Sequence, residues 1–153
     1  MKYSYIVYIL GGAITIAVLV AWFVMLSPFL SDDSGAGMRT IHLDGNAISV
    51  SVSDTDESRQ LGLSGRSALA ADEGMLFVFQ TDGAYAFWMK DMNFPIDIIW
   101  ISADDRIVYM VQHASPDTYP HAFVPSAPAR YVLEVSAGYV VQHNVHTGDT
   151  IQL

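Results

Sequence analysis

Ile96-Asp97-Ile98-Ile99-Trp100-Ile101 carries apolar side chains on both sides of an extended chain, with one carboxylate among them. Successive side chains of a strand point to opposite faces. Ile96, Ile98 and Trp100 therefore share one face, and Asp97, Ile99 and Ile101 the other. A strand with one wet face would alternate apolar with polar residues, so this one reads as buried on both sides. Pro95 disfavours a helical conformation at Phe94, which makes residues 91–95 a loop. Residues 106–112 follow across the polar stretch 102–105, and the two runs read as a hairpin.

Similar runs lie to either side. Ile41, Leu43, Ile48, Val50 and Val52 alternate with Thr40, His42, Ser49 and Ser51, the period of strands with one solvated face. Asp44-Gly45 between them is a type I′ hairpin signal, because both central residues of that turn need positive φ. Asp54 and Glu57 have the spacing of a capping box and predict a short helix over residues 55–61, which Gly62 can end. The run 75–79 is a buried strand, Thr81-Asp82-Gly83 a turn, and 85–89 a further strand. Four prolines (116, 120, 125 and 128) exclude regular structure from most of 114–128. Residues 130–135, 139–143 and 150–153 read as closing strands. Many short strands around one small helix predict a mainly β domain, a compact antiparallel sandwich or partial barrel.

Residues 3–30 contain no charged side chain, and most of that segment is strongly apolar. About 20 such residues span a bilayer as a helix, so residues 1–30 are expected to form a single transmembrane anchor. A cleaved signal peptide is the alternative, with Ser34-Gly35-Ala36 as its cleavage site, but its apolar region should be only about 7–15 residues long. Lys2 precedes the span and Asp32 and Asp33 follow it, which orients the N-terminus to the cytoplasm and the domain outside. Residues 31–37 read as a polar, glycine-containing tether and 38–153 as a single extracytoplasmic domain.

The chain holds 7 Lys and Arg against 16 Asp and Glu, a formal net charge of −9. Only Lys2, Asp32 and Asp33 of these precede the domain. An acidic surface repels nucleic acid, so no nucleic-acid partner is expected. With no cysteine, thiol catalysis, disulfides and thiolate metal sites are excluded. His113, His121, His143 and His146 show no ligand spacing, and neither a metal nor another cofactor is expected.

Two carboxylates stand where a core would exclude them: Asp97, and Glu134 within Tyr131-Val132-Leu133-Glu134-Val135. A buried, unpaired carboxylate costs several kcal/mol or takes up a proton, so each is expected to have a partner. Arg59, Arg66 and Lys90 are the available cations. One reading makes these buried ion pairs that pin the helix and loop to the sheet. The other makes Arg59, Arg66, Trp88, Lys90, Asp97 and Glu134 the walls of a ligand cleft. Phe87 and Trp100 are expected in the core, and Trp88, alternating with Phe87, on the cleft wall.

The chain also carries Arg59, Gly62-Leu63 and Arg66, then Gly74-Met75-Leu76-Phe77 and Phe79, then Phe87-Trp88-Met89-Lys90, then Pro95, Asp97 and Ile98. Leu133-Glu134, Gly138 and Gly148-Asp149 follow. In these residues it resembles the family known as "domain of unknown function 192", over residues 41–153. It departs from the family pattern at Ser64, where methionine is usual, and at Asp91-Met92, where Asn-Thr is common. The resemblance implies a small, mainly β domain, often secreted or membrane-tethered, with no agreed substrate. The expected function is a membrane-anchored, extracytoplasmic binding module for a small polar or envelope-derived ligand. An enzyme using Asp97 or Glu134 as general acid or base, and a partner-docking domain presenting the loop 114–128, are the alternatives.

Overall fold

The computed structural model describes residues 37–153. The expected transmembrane anchor at 1–30 lies outside the described residues. Among those described, no helix is long and apolar enough to cross a membrane.

The Asp44-Gly45 turn has the positive φ it requires, 49° and 79°. It joins β1 (Met38–Leu43) to β2 (Asn46–Ser53) in antiparallel register. Helix α1 (Asp56–Leu61) follows, and its capping differs from the expectation: Thr55 is the N-cap and exchanges hydrogen bonds with Ser58, in place of Asp54 and Glu57. Gly62 ends the helix at φ 53° and ψ −136°, a conformation that favours glycine. The chain then enters β3 (Glu73–Gly83), which absorbs the expected turn at 81–83. β2 and β3 pair in parallel, a departure from the all-antiparallel expectation. Residues 54–72 are long enough to carry the chain back to the same end of the sheet, which a parallel pair demands.

Strand β5 (Ile96–Ile101) is buried along its whole length. It pairs on one side with β6 (Ile107–Ala114) and on the other with β8 (Ala129–Ser136). Together with β9 (Ile151–Gln152) these strands form one seven-stranded sheet in the order β6-β5-β8-β3-β2-β1-β9. The two edges meet at one end: Arg106 bridges Thr150, and the Ile107 amide donates to the Asp149 carbonyl at 2.9 Å. The sheet is thus a partial barrel. The remaining expected strand at 85–89 shrinks to β4 (Phe87–Trp88), which pairs outside the main sheet with β7 (Ala122–Phe123) from the proline-rich segment.

The sheet is apolar on both faces. The inner face packs Ile41, Ile48, Leu76, Ile99, Leu133, Val135 and Ile151 into one core. The outer face carries Phe77, Ile98, Trp100 and Val132 beneath Leu63, Met89 and the partly buried Phe87. The strand expected at 139–143 is instead a single helical turn, α2 (Tyr139–Gln142), which places Tyr139 and Val140 in the inner core.

Candidate functional site

The two anomalous carboxyls lie on opposite faces of the sheet. Asp97 faces inward and is fully buried. Its Oδ1 accepts from the His113 amide at 2.8 Å, and its Oδ2 from the amides of Gly138 at 3.1 Å and Val140 at 2.9 Å. The expected cationic partner is therefore replaced by three backbone N–H groups. The cause is local. The β5–β6 ladder has a register shift between Ile96 and Ile98, where His113 takes φ 56°, and this directs its amide at Asp97. Helix α2 has no side-chain cap of its own, and Asp97 supplies one from across the sheet.

Glu134 faces outward, opposite Met75 on β3 and Ile98 on β5. It is 5% exposed, and its Oε2 has no hydrogen-bond partner among the described residues. Among the described residues no cation pairs with it either, so the expected buried ion pair is absent there. Burial raises its pKa from 4.5 to about 8, although the charge of Arg66 pulls in the other direction. The side chain is accordingly a neutral acid at pH 7, able to donate one hydrogen bond as well as accept.

Above Glu134 the outer face opens into a cavity of about 770 Å³, of a size that suits a small molecule. Helix α1 and the turn after it form one wall. Phe77 and Phe79 of β3 contribute the floor with Glu134, and the opposite wall comes from Tyr85–Trp88 and Lys90–Met92. Aromatic contacts set the interior surface. The Phe77 and Phe87 rings meet edge-on at 4.8 Å, and those of Phe79 and Tyr85 stack at 3.5 Å. The Trp100 indole N–H holds the Tyr85 carbonyl at 2.9 Å, tying this wall to the sheet. The two loops at the rim are also joined. Ser64 Oγ donates to the Lys90 carbonyl at 3.0 Å, the Gly65 amide to the Asp91 carbonyl at 2.9 Å, and Asn93 Nδ2 to the Arg66 carbonyl at 2.8 Å.

Of the six residues the sequence singles out, Arg59, Trp88, Lys90 and Glu134 line this cavity, whereas Arg66 and Asp97 do not. Arg59 is committed to the fold. Its guanidinium donates to the carbonyls of Asp54 at 2.6 Å and Val78 at 2.8 Å, pairs with Asp56 at 2.6 Å, and lies over the Phe79 ring. Lys90 makes no ion pair within the described residues and is exposed at the rim. Arg66 is exposed beyond it. Trp88 is 58% exposed, with its ring against Tyr119 from the proline-rich segment, while Trp100 is fully buried. Phe77, Phe79, Leu61 and Leu63 escaped the sequence reading as cleft residues. Period two from Met75 through Phe79 does put the two phenylalanines on one face, but nothing in it shows that face to be open.

Asp97 cannot share a substrate with Glu134, because the sheet separates them. Two-carboxylate chemistry by this pair, of the kind that cleaves glycosides, is excluded by the geometry.

No curated protein matches the chain. Among solved structures, a protein from Sinorhizobium meliloti 1021 described as a "putative transcription regulator" is 31% identical. The match covers 69% of this chain and 81% of that one, with a TM-score of 0.67. A protein of unknown function from Novosphingobium aromaticivorans DSM 12444 is 24% identical and shares the fold, with a TM-score of 0.75 over 80% of this chain and 89% of its own. The family model described as an uncharacterized ACR matches residues 39–153, and with it the chain belongs to the DUF192 family.

Proposed function

We propose that this protein is a membrane-anchored binding module whose extracytoplasmic β domain takes a small polar or envelope-derived ligand in the outer cleft. The observation that carries the reading is the Glu134 carboxyl, buried and without a partner at the floor of an aromatic cavity. Buried polar groups are ordinarily satisfied, and an exception calls for an unseen partner or a functional task. An apolar residue at this position would complete the layer formed by Met75, Ile98 and Val132, so the carboxyl is retained at the expense of stability. The membrane placement rests on the uncharged segment 3–30 and the acidic pair after it. Transcriptional regulation, the description given to the Sinorhizobium protein, is disfavoured for this chain by a formal charge of −9, which opposes contact with phosphates.

The test is a thermal-shift panel of metabolite-sized aromatic acids, amides and sugars, run on the full chain and on Trp88→Ala. The expected result is a compound that raises the wild-type midpoint saturably and the variant's little or not at all. A panel that moves neither midpoint would sink the binding reading. A second reading, an enzyme using Glu134 as general acid, is favoured by its retained proton. It requires turnover of a bound compound that Glu134→Gln abolishes.

A further inference from the structure

We infer that the ligand of this cleft is a small organic carboxylate with a flat apolar body, its carboxylate hydrogen-bonded to Glu134 and its charge offset by Lys90 at the rim and, at longer range, by Arg66. The inference deepens the binding reading above and rests on it.

Three observations converge. The first is the donor. Glu134 is only 5% exposed, lines the cavity, and has an oxygen without a partner among the described residues. A neutral carboxyl in that position offers an O–H to whatever fills the space, and the strongest neutral-to-anion hydrogen bonds are made to a charged oxygen. The second is the distribution of charge. The domain has few cationic side chains, and Arg59, Arg66 and Lys90 gather at this cleft, while Arg39, Arg106 and Arg130 serve the rest of the surface. Arg59 is occupied by Asp54, Asp56 and Val78, and Arg130 is paired with Asp82 at 2.6 Å. Lys90 and Arg66 make no ion pair among the described residues, and the charge of Arg66 is felt at Glu134. Asp56 and Asp91 also face the cavity, but Asp56 is paired with Arg59, so Lys90 at the rim and Arg66 beyond it are the cations left to meet a small anion. The third is shape. Phe77, Phe87 and Trp88 give the cavity flat apolar walls, which a ring or short hydrocarbon fills and a free inorganic anion does not.

Binding should then depend on the Glu134 proton. When that proton is lost, two carboxylates face each other in a poorly solvated site, and the complex weakens. The other groups facing the cavity are Asp56, Arg59, Tyr85, Lys90 and Asp91, with Arg66 just beyond the rim. Glu134→Gln separates its contribution from theirs, since the amide keeps an N–H donor and cannot ionise.

The experiment is calorimetric titration of the full chain in detergent with benzoate and with benzamide, its neutral near-isostere, at pH 6.5 and 9.5. For the wild type we expect benzoate to bind at pH 6.5 and to weaken about ten-fold or more at pH 9.5, given a carboxyl that titrates near 8. Glu134→Gln should bind benzoate at both pH values with less than about a two-fold change between them. Lys90→Gln should weaken benzoate several-fold and leave benzamide unaffected. Benzamide binding as tightly as benzoate would overturn the carboxylate assignment and leave the cleft reading standing. The same division follows if neither binds but another class in the thermal-shift panel does. Neither binding, with an empty panel, would remove both.

Discussion

Asp97 accepts hydrogen bonds from the amides of His113, Gly138 and Val140, and each of those amides would be left without its partner if the carboxylate were removed. A stranded buried donor costs about 1–3 kcal/mol. Asp97→Ala should therefore lower the unfolding free energy by roughly 3–5 kcal/mol, and Asp97→Asn by about 1–3 kcal/mol, because its amide group turns one acceptor into a donor. Denaturant titration measures both, and an unchanged midpoint for Asp97→Ala would remove Asp97 from the stability of the fold. Glu134 should behave in the opposite way. Its folded pKa of about 8 lies above the ordinary 4.5, so between these values the folded protein holds a proton that the unfolded chain has released. Its contribution to the unfolding free energy consequently declines as pH rises from about 4.5 through 8, by up to about 1.4 kcal/mol per pH unit. The wild type should lose stability relative to Glu134→Gln across that window, and parallel pH profiles for the two proteins would refute the assignment. Glu134→Leu should raise the unfolding free energy by about 1–3 kcal/mol while abolishing ligand binding. That a carboxylate stood in each of these strands was legible in the sequence. Its partner was not: Asp97 drew backbone amides rather than a cation, and Glu134 drew none.

Helix α1 is one turn and a half long and buries no residue, so it persists through its caps and its docking rather than through propensity. The Thr55 hydroxyl accepts from the Ser58 amide, the Ser58 hydroxyl accepts from the Thr55 amide, and Arg59 clamps the far side to Val78 on β3. Thr55→Ala should cost about 1 kcal/mol in a denaturant titration. Because α1 is a wall of the cavity, the same substitution should weaken any ligand bound there, and undiminished affinity would show that the wall does not move. The existence of this helix and its glycine stop could be read from residues 54–62, where the signals are local. Helix α2 could not. Tyr139-Val140-Val141 has the β-branched and aromatic composition of a strand, yet the Asp97 carboxylate, 43 positions away in sequence from Val140, organises its amides into a helical turn. The two-stranded ribbon of β4 and β7 escaped for the same reason, since its partners are separated by the whole of β5 and β6.

At the scale of the molecule, a partial barrel is filled on its inside and carries a second apolar layer on part of its outside, and the cleft opens on that outer layer with Glu134 buried at its floor. The closing contacts between the segments at 105–107 and 148–151 join sheet edges that would otherwise be free. Hydrogen exchange should find the amides of Ile107, Gly148 and Ile151 protected together with the central strands, whereas those in the proline-rich segment 114–128 exchange faster. Equal protection in both regions would count against that closure. If the proposed anchor in the uncharged segment 3–30 spans a bilayer, the full chain should sediment with membranes and resist extraction by carbonate, and release by carbonate would count against it. Local signals in the chain were enough for β1, β2, β3, β5, β6 and β8, the Asp44-Gly45 hairpin, the first helix and the faces of β5, because hydrophobic period and turn chemistry depend on residues only a few positions apart. Long-range packing was needed to make β2 and β3 run parallel, to make 139–142 helical, and to make Asp97 a cap and Glu134 a lone acid in a cleft. Each of these depends on which distant segments meet across the sheet, and such meetings leave no local pattern in the chain.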